Sequence, residues 1–425
     1  MATSLRVPLA TEPDSGEARG KVPTMRHVCL ASRALALLSA ATGCSHRANV
    51  QCEVNPNCDL TTGGVCAAAD TGNHWCSYPD PACSSGYRYS DQDVGDGVAG
   101  QCVAGAKIDD TDAGLDSSMP PASQPASCIA LPHTCGPSDN DDCCNSPLVE
   151  GGDYFRGFDR ASDSNSGNTL FPATISPFRL DKYEITVGRF RSFIEGNHGT
   201  QANPPAVGAG ANPYFANSGW DATWDQFLPK TKEDLMMILD CGIGGVHTPT
   251  WTNAPRSNEN LPINCISWYE AMAFCAWDGG FLPSEAEWNY AATGGSQQRA
   301  YPWSDPPSFT TMLDASYASY NCIEDGTASC AFTDILPVGS KPKGNGRWQQ
   351  SDLGGNVTEW VMDWGENFVN PCTNCVYLGA HPDGEKELRG GSWFLDPAQL
   401  RTGHRLTAPP GENEIDRGAR CARMP

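Results

Sequence analysis

Leu261-Pro262-Ile263-Asn264-Cys265-Ile266-Ser267-Trp268-Tyr269-Glu270 begins the stretch that decides the fold, and Gly280-Phe281-Leu282-Pro283-Ser284-Glu285-Ala286-Glu287-Trp288 ends it. Each half contains a serine followed three residues later by a glutamate. That spacing is a capping box, in which the serine side chain and the glutamate carboxylate satisfy two amide groups that a helix start leaves free. The first box predicts a helix through Phe274 and Cys275, closed by Gly279-Gly280; the second, after Pro283, predicts a helix through Trp288 and Ala291. Each cap contributes about 1 kcal/mol. A third helix is predicted over Ile185–Ile194, where Val187, Phe190 and Ile194 share a face and Gly196 follows as a stop. Few other segments have a helical period. With 44 Gly and 33 Pro, the remainder reads as short strands joined by long loops, an α+β chain with much irregular structure.

Outward from this stretch, residues 148–425 are aromatic and long enough to bury an ample core. Ahead of them the organisation changes several times. Residues 1–24 are polar and rich in Pro and Gly, and are expected to be a non-native extension. Residues 25–44 combine a basic Met25-Arg26-His27, a short apolar stretch interrupted by Arg33, and the ending Ala40-Ala41-Thr42-Gly43-Cys44. This pattern resembles a bacterial lipoprotein signal with Cys44 as the lipidated residue; the alternative is ordinary secretion with Cys44 in a disulfide. Residues 45–102 are a cysteine-rich segment that needs bridges in place of a core, with pairings the sequence leaves open. Within it, Asp91–Gly97 faintly resembles a calcium loop, but its glycine is off-register, so a solvated acidic turn is the reading. Residues 103–127 form a linker rich in Asp, Ser, Ala and Pro. Residues 128–147 form a second cysteine cluster, whose adjacent Cys143 and Cys144 are expected to bond to different partners.

Charge and cysteine content exclude several classes of function. There are 28 Lys+Arg against 50 Asp+Glu, a formal net charge of −22, which repels nucleic acid. The 20 cysteines point to an oxidising compartment, because no Cys-x-x-Cys pair is followed by the second pair that a zinc site requires. No apolar run is long enough to span a bilayer in the mature chain.

The two capped segments are followed, in order, by Gly355-Asn356-Val357-Thr358-Glu359-Trp360, by Arg389-Gly390-Gly391-Ser392-Trp393 and by Arg417-Gly418-Ala419-Arg420-Cys421. Over residues 148–425 this ordered set resembles the formylglycine-generating enzyme, or sulfatase-modifying factor, family. The resemblance implies a C-type-lectin-like α+β fold. It also implies a copper ion held by two cysteine thiolates, soft ligands for a soft ion, three and eight residues beyond the serine of Arg-Gly-Gly-Ser. Those positions here are Leu395 and Leu400, which offer no ligand, so copper is not expected. Ser392, the family's active-site serine, is retained, whereas Thr358 stands where an active-site tryptophan is usual.

Cys372-Thr373-Asn374-Cys375 reads as a structural bridge sooner than as a displaced copper site, and His404, near the cleft by homology, as a lone polar residue. The resemblance further implies a calcium site from the Asp352 and Glu359 side chains and the Gly355 and Val357 carbonyls, all hard oxygen donors. The plain alternative for both acids is a solvated loop. A Cys275–Cys421 disulfide is implied as well. At a second family calcium loop, near Asn321, an expected Asp is Cys330, and a Cys322–Cys330 bridge is expected in its place. The expected protein is an exported, lipid-anchored, non-catalytic module at a membrane surface. Its partner would be an extracellular protein or a glycan, not nucleic acid. The rival is an oxidase acting on a protein cysteine; a third reading is a regulatory partner of a true enzyme of the same fold.

Overall fold

A computed structural model describes residues 65–103, apart from 70–72, 81, 84–86 and 91–96. It also describes residues 124–425, apart from 130, 133, 159–169, 243–244, 305–311, 328, 366 and 380–383. The signal-like segment with Cys44, Cys52 and Cys58, and most of the Asp91–Gly97 turn, lie outside the described residues. The chain divides into two compact units, Met1–Ser118 and Met119–Pro425. In the first, β1 (Val65–Ala68), β2 (His74–Pro79) and β3 (Tyr87–Tyr89) form an antiparallel sheet in that order. Trp75, Tyr89, Ala67 and Val103 give it a small core, and Cys83–Cys102 staples it.

The large unit begins ahead of the expected boundary at 148, because the cysteine cluster of 128–147 is built into it. Cys128–Cys144 and Cys135–Cys143 close that cluster. Arg189 donates from Nε to Ser127 Oγ at 3.0 Å, and Lys182 pairs with Asp141 at 2.6 Å. The short strands β4 (Leu148–Val149), β5 (Gly152–Phe155), β6 (Pro172–Ile175) and β7 (Phe178–Leu180) follow.

Among the described residues, four α-helices come next. α1 spans Val187–Glu195, two residues later than its apolar pattern suggests, because the Thr186 hydroxyl accepts from the Arg189 amide and fixes the start there. α2 spans Lys232–Ile238 and opens on a capping box made by Thr231 and Asp234. α3, Trp268–Trp277, and α4, Glu285–Ala292, open on the Ser267/Glu270 and Ser284/Glu287 boxes. Beyond α3 the chain turns at Gly279, whose φ of +77° favours glycine.

The later strands are β8 (Thr358–Trp364), β9 (Cys372–Thr373), β10 (Lys386–Arg389), β11 (Leu406–Ala408), β12 (Arg417–Gly418) and β13 (Ala422–Arg423). They complete three sheets, ordered β11-β10-β8-β12, β13-β7-β4 and β5-β6-β9. This is an α+β architecture of short helices and small sheets, as the resemblance implied. In the first sheet Arg389 lies opposite Glu359 on one side and Gly418 lies opposite it on the other. The three motifs nearest the C-terminus are therefore neighbouring strands of one sheet.

The core forms where α1 and α3 pack with β8 and β10, around Phe190, Phe193, Trp268, Phe274 and Trp360. Trp220, Trp268, Trp288, Trp360 and Trp393 are all fully buried. The abundant tryptophan is thus largely core. No helix among the described residues is long and apolar enough to cross a membrane.

Candidate functional site

The motif residues first account for the site's framework. Glu285, at the start of α4, accepts from Arg156 Nε at 2.8 Å and from Arg389 Nη2 at 2.6 Å, with all three side chains buried. The two guanidinium groups outweigh the burial penalty and hold Glu285 down at about 2. Arg389 of Arg-Gly-Gly-Ser is therefore an ion-pair partner of the Pro-Ser-Glu segment. Glu359 accepts from Arg420 at both oxygens, 2.7 Å each, and from Trp288 Nε1 at 2.8 Å. Asn356 donates to Glu184 at 2.7 Å, and the Val357 amide reaches the other Glu184 oxygen at 3.1 Å. Gly355 has φ +93°, and a Cβ there would lie 2.3 Å from the Ser319 carbonyl oxygen, so only glycine fits.

Ser392 is fully buried and lies against Asp416, whose carboxyl burial pushes up to about 6. Thr358 points its hydroxyl at the Asp416 carbonyl, 2.8 Å away. Leu400 is fully buried among Tyr301, Ala318 and Tyr320. Leu395 is half-buried, its carbonyl accepting from Asn321 and its amide donating to the Ser392 carbonyl. The two positions that carry thiolates in the enzymes therefore pack and turn the chain here. Cys372 and Cys375 are joined to each other, Cys322 to Cys330, Cys275 to Cys421 and Cys241 to Cys265. With both sulfurs of the Cys-x-x-Cys pair in a disulfide, neither is a thiolate ligand, and the residues present do not fit copper. His404 is half-buried, and burial and the nearby Arg389 lower its basicity.

Of the two acids named for calcium, Glu359 is not a solvated loop residue, whereas Asp352 lies half-buried on a loop. Glu359 is completely buried, and Asp352, with φ +59°, accepts from the Gly339 amide at 2.6 Å. Burial pushes Asp352 up to about 6, and Glu359 raises it further. Glu184 is raised well above the carboxylate range by burial, then by Asp352 and Glu359. Arg420 and Lys341 oppose only part of this negative charge. Glu359 has four acceptor positions and uses three, so one remains. These are hard oxygen donors of the kind calcium takes, but Glu359 is first of all the bidentate partner of Arg420, which the sequence reading missed, and its carboxylate does not cluster with those of Asp352 and Glu184 as metal ligands do. Among the described residues the trio that does cluster so is Cys128, Asp142 and Cys144, whose sulfurs are bonded to each other.

The large unit thus joins its ordered motifs through buried ion pairs, around positions 395 and 400 that hold leucines. The chain belongs to the family described as "Sulfatase-modifying factor enzyme 1-like domain", which matches residues 134–425. It is 28% identical over 292 residues to the mouse (Mus musculus) protein named "Inactive C-alpha-formylglycine-generating enzyme 2", covering 64% of this chain and 84% of that one. It is 27% identical over 301 residues to the "Formylglycine-generating enzyme" of Streptomyces coelicolor, covering 64% and 87%. Among solved structures, PvdO from Pseudomonas aeruginosa aligns with a TM-score of 0.47 at 21% identity, covering 65% of this chain and 93% of that one.

Proposed function

We propose that this chain is an exported protein whose sulfatase-modifying-factor domain acts as a binding or structural module and does not generate formylglycine. The observation that carries the reading is the replacement of the reacting thiolate pair by Leu395 and the fully buried Leu400. Catalytic groups that act as a unit lose nearly all of the rate when the unit is broken, not a fraction of it. A mouse relative named as inactive supports this reading. Intact frame ion pairs beside an emptied centre are what a retained scaffold with a different task would keep.

Export is supported by the bridges, which cytosolic reductants would open. In this proposal Cys44 carries the lipid anchor at a membrane surface, and the partner is an extracellular protein or glycan. Calcium, held by Asp352, Glu359 and the Gly355 and Val357 carbonyls, would offset the surplus charge beside Glu184 and brace the loop ahead of β8.

Metal analysis of the purified chain, reporting copper, iron and calcium separately, tests the reading. About one calcium and no copper is the expected result. Stoichiometric copper lost on alkylating the cysteines would overturn it.

A further inference from the structure

We infer that Cys372–Cys375 is a thiol–disulfide exchange site for cysteine-containing protein segments, served by Arg156 and an adjoining apolar cavity. This inference does not depend on whether the domain makes formylglycine, since neither sulfur nor the cavity belongs to the Ser392 centre, and Arg156 meets that motif only through Glu285, which it shares with Arg389.

Three observations meet at this bridge. The first is a cation on one sulfur: Arg156 Nη1 donates to Cys375 Sγ at 2.8 Å. Glu285 holds Nε, with Nη2 bonded to the same carboxylate, so the third nitrogen of the fork is fixed toward the sulfur. Among the seven bridges described, this is the one with a charged side chain hydrogen-bonded to a sulfur. A guanidinium on a structural disulfide adds little, because a bridged sulfur carries no charge. On a sulfur that leaves as thiolate it lowers the thiol pKa and speeds departure.

The second observation is access to the other sulfur's residue. Cys372 forms part of the wall of an open cavity of about 440 Å³, whose apolar sides come from Phe155, Pro172, Ala173 and Pro371. Phe155, on the edge strand β5, is 37% exposed. Cys375 is not part of that wall; both cysteines are buried, at 4% exposure for Cys372 and 8% for Cys375, so the cavity and not overall exposure distinguishes Cys372.

The third is that the loop is held by contacts other than the bridge. β9 pairs in parallel with β6, Cys372 opposite Ala173 and Thr373 opposite Thr174. Asn374 donates its amide to the Thr174 carbonyl at 2.9 Å. Its side chain accepts from the Ser176 amide at 2.7 Å and donates to Ser176 Oγ at 2.8 Å. Opening the bridge therefore leaves both sulfurs in place for closing it again.

The exchange runs in two steps. A substrate thiolate attacks Cys372 Sγ; a substrate–Cys372 bond forms, the Cys372–Cys375 bond breaks, and the electron pair leaves on Cys375 beside Arg156. A second substrate thiolate then attacks the substrate sulfur of the mixed disulfide and releases Cys372 as thiolate. The substrate dithiol is oxidised by two electrons and the protein pair is reduced by the same two. A small-molecule disulfide such as glutathione disulfide restores the pair by the reverse sequence.

The test equilibrates the full chain with graded ratios of reduced to oxidised glutathione, quenches in acid, alkylates and maps the cysteines by mass. Cys372–Cys375 is expected to open while Cys275–Cys421 and Cys241–Cys265 stay closed, with glutathione trapped on Cys372. Opening of all three together, or an adduct on Cys375, overturns the inference. Arg156→Gln should slow reduction of the pair roughly tenfold, with Cys275–Cys421 intact as the check on folding. An unchanged rate in the folded variant overturns the role of Arg156. Should that variant not fold, Cys375→Ala decides: a mixed disulfide with an oxidised two-cysteine peptide at Cys372 supports the site, and none overturns it.

Discussion

Replacing Leu400 by alanine should destabilise the large unit as a core truncation does, although the position belongs to the reacting centre in the enzymes. Leu400 has no exposure and packs on Tyr301, Ala318 and Tyr320, with Trp303, Leu313 and Ile323 at the margin. Removing three carbons costs about 2.4 kcal/mol at about 0.8 kcal/mol each. A residual cavity adds to that in proportion to its volume, which is why buried Leu→Ala changes cost about 3–5 kcal/mol.

Collapse onto the gap is restrained here. Tyr301 is tied through its hydroxyl to the Pro397 carbonyl at 3.0 Å and stacks on Trp303 at 5.0 Å. A cost of about 3–4 kcal/mol follows, or roughly 6–8 °C in Tm at about 2 °C per kcal/mol for a unit of this size. Leu395→Ala, at a half-buried turn, should cost less than half as much. Thermal unfolding followed by tryptophan fluorescence, in oxidising buffer, measures both. A Leu400→Ala shift below about 1 °C, or a larger loss at Leu395, would refute the packing role.

Three further outcomes are expected. Chelator should lower the Tm of chain that has been shown to be calcium-saturated, and Asp352→Ala should abolish the difference, because binding to the native state alone stabilises it by mass action; an identical Tm with and without chelator argues against the metal. Removing Cys275–Cys421, a bridge with a sequence separation of 146, by the double alanine variant should cost about 5 kcal/mol in the chain-entropy model, read as a lower denaturation midpoint. Burial raises Glu287 to about 7. Between about pH 4.5 and 7 the folded chain keeps a proton the unfolded chain has lost, so this group's contribution to stability falls as pH rises through that window; Glu287→Gln should narrow the stability gap between pH 5 and pH 8, and an unchanged gap counts against the assignment.

The helices that the sequence revealed are those with local signals. Ser267/Glu270 and Ser284/Glu287 lie three residues apart, and the structure makes the same contacts the spacing implies. α2 escaped notice because its box uses Asp234 where the usual pattern has Glu or Gln. Long-range partners were not legible. The Glu359–Arg420 pair spans 61 residues and the Arg156–Glu285 pair 129, and nothing local marks either. The same holds for the cysteine cluster ahead of residue 148. Composition separates it from the large domain, yet the Cys143 carbonyl and the Asp141 carboxylate bond to Arg189 and Lys182. At the centre itself, aliphatic residues in place of thiolates were visible, but the burial of one and the half-exposure of the other required the fold.

The central claim is tested most directly by turnover. The purified chain, copper-loaded under O₂, is given a Cys-x-Pro-x-Arg peptide, and the aldehyde is sought by mass. The account predicts no formylglycine from the wild-type chain. Product that disappears on mutating Cys372 or Cys375 would contradict it, placing the copper site at that pair and making the protein an enzyme.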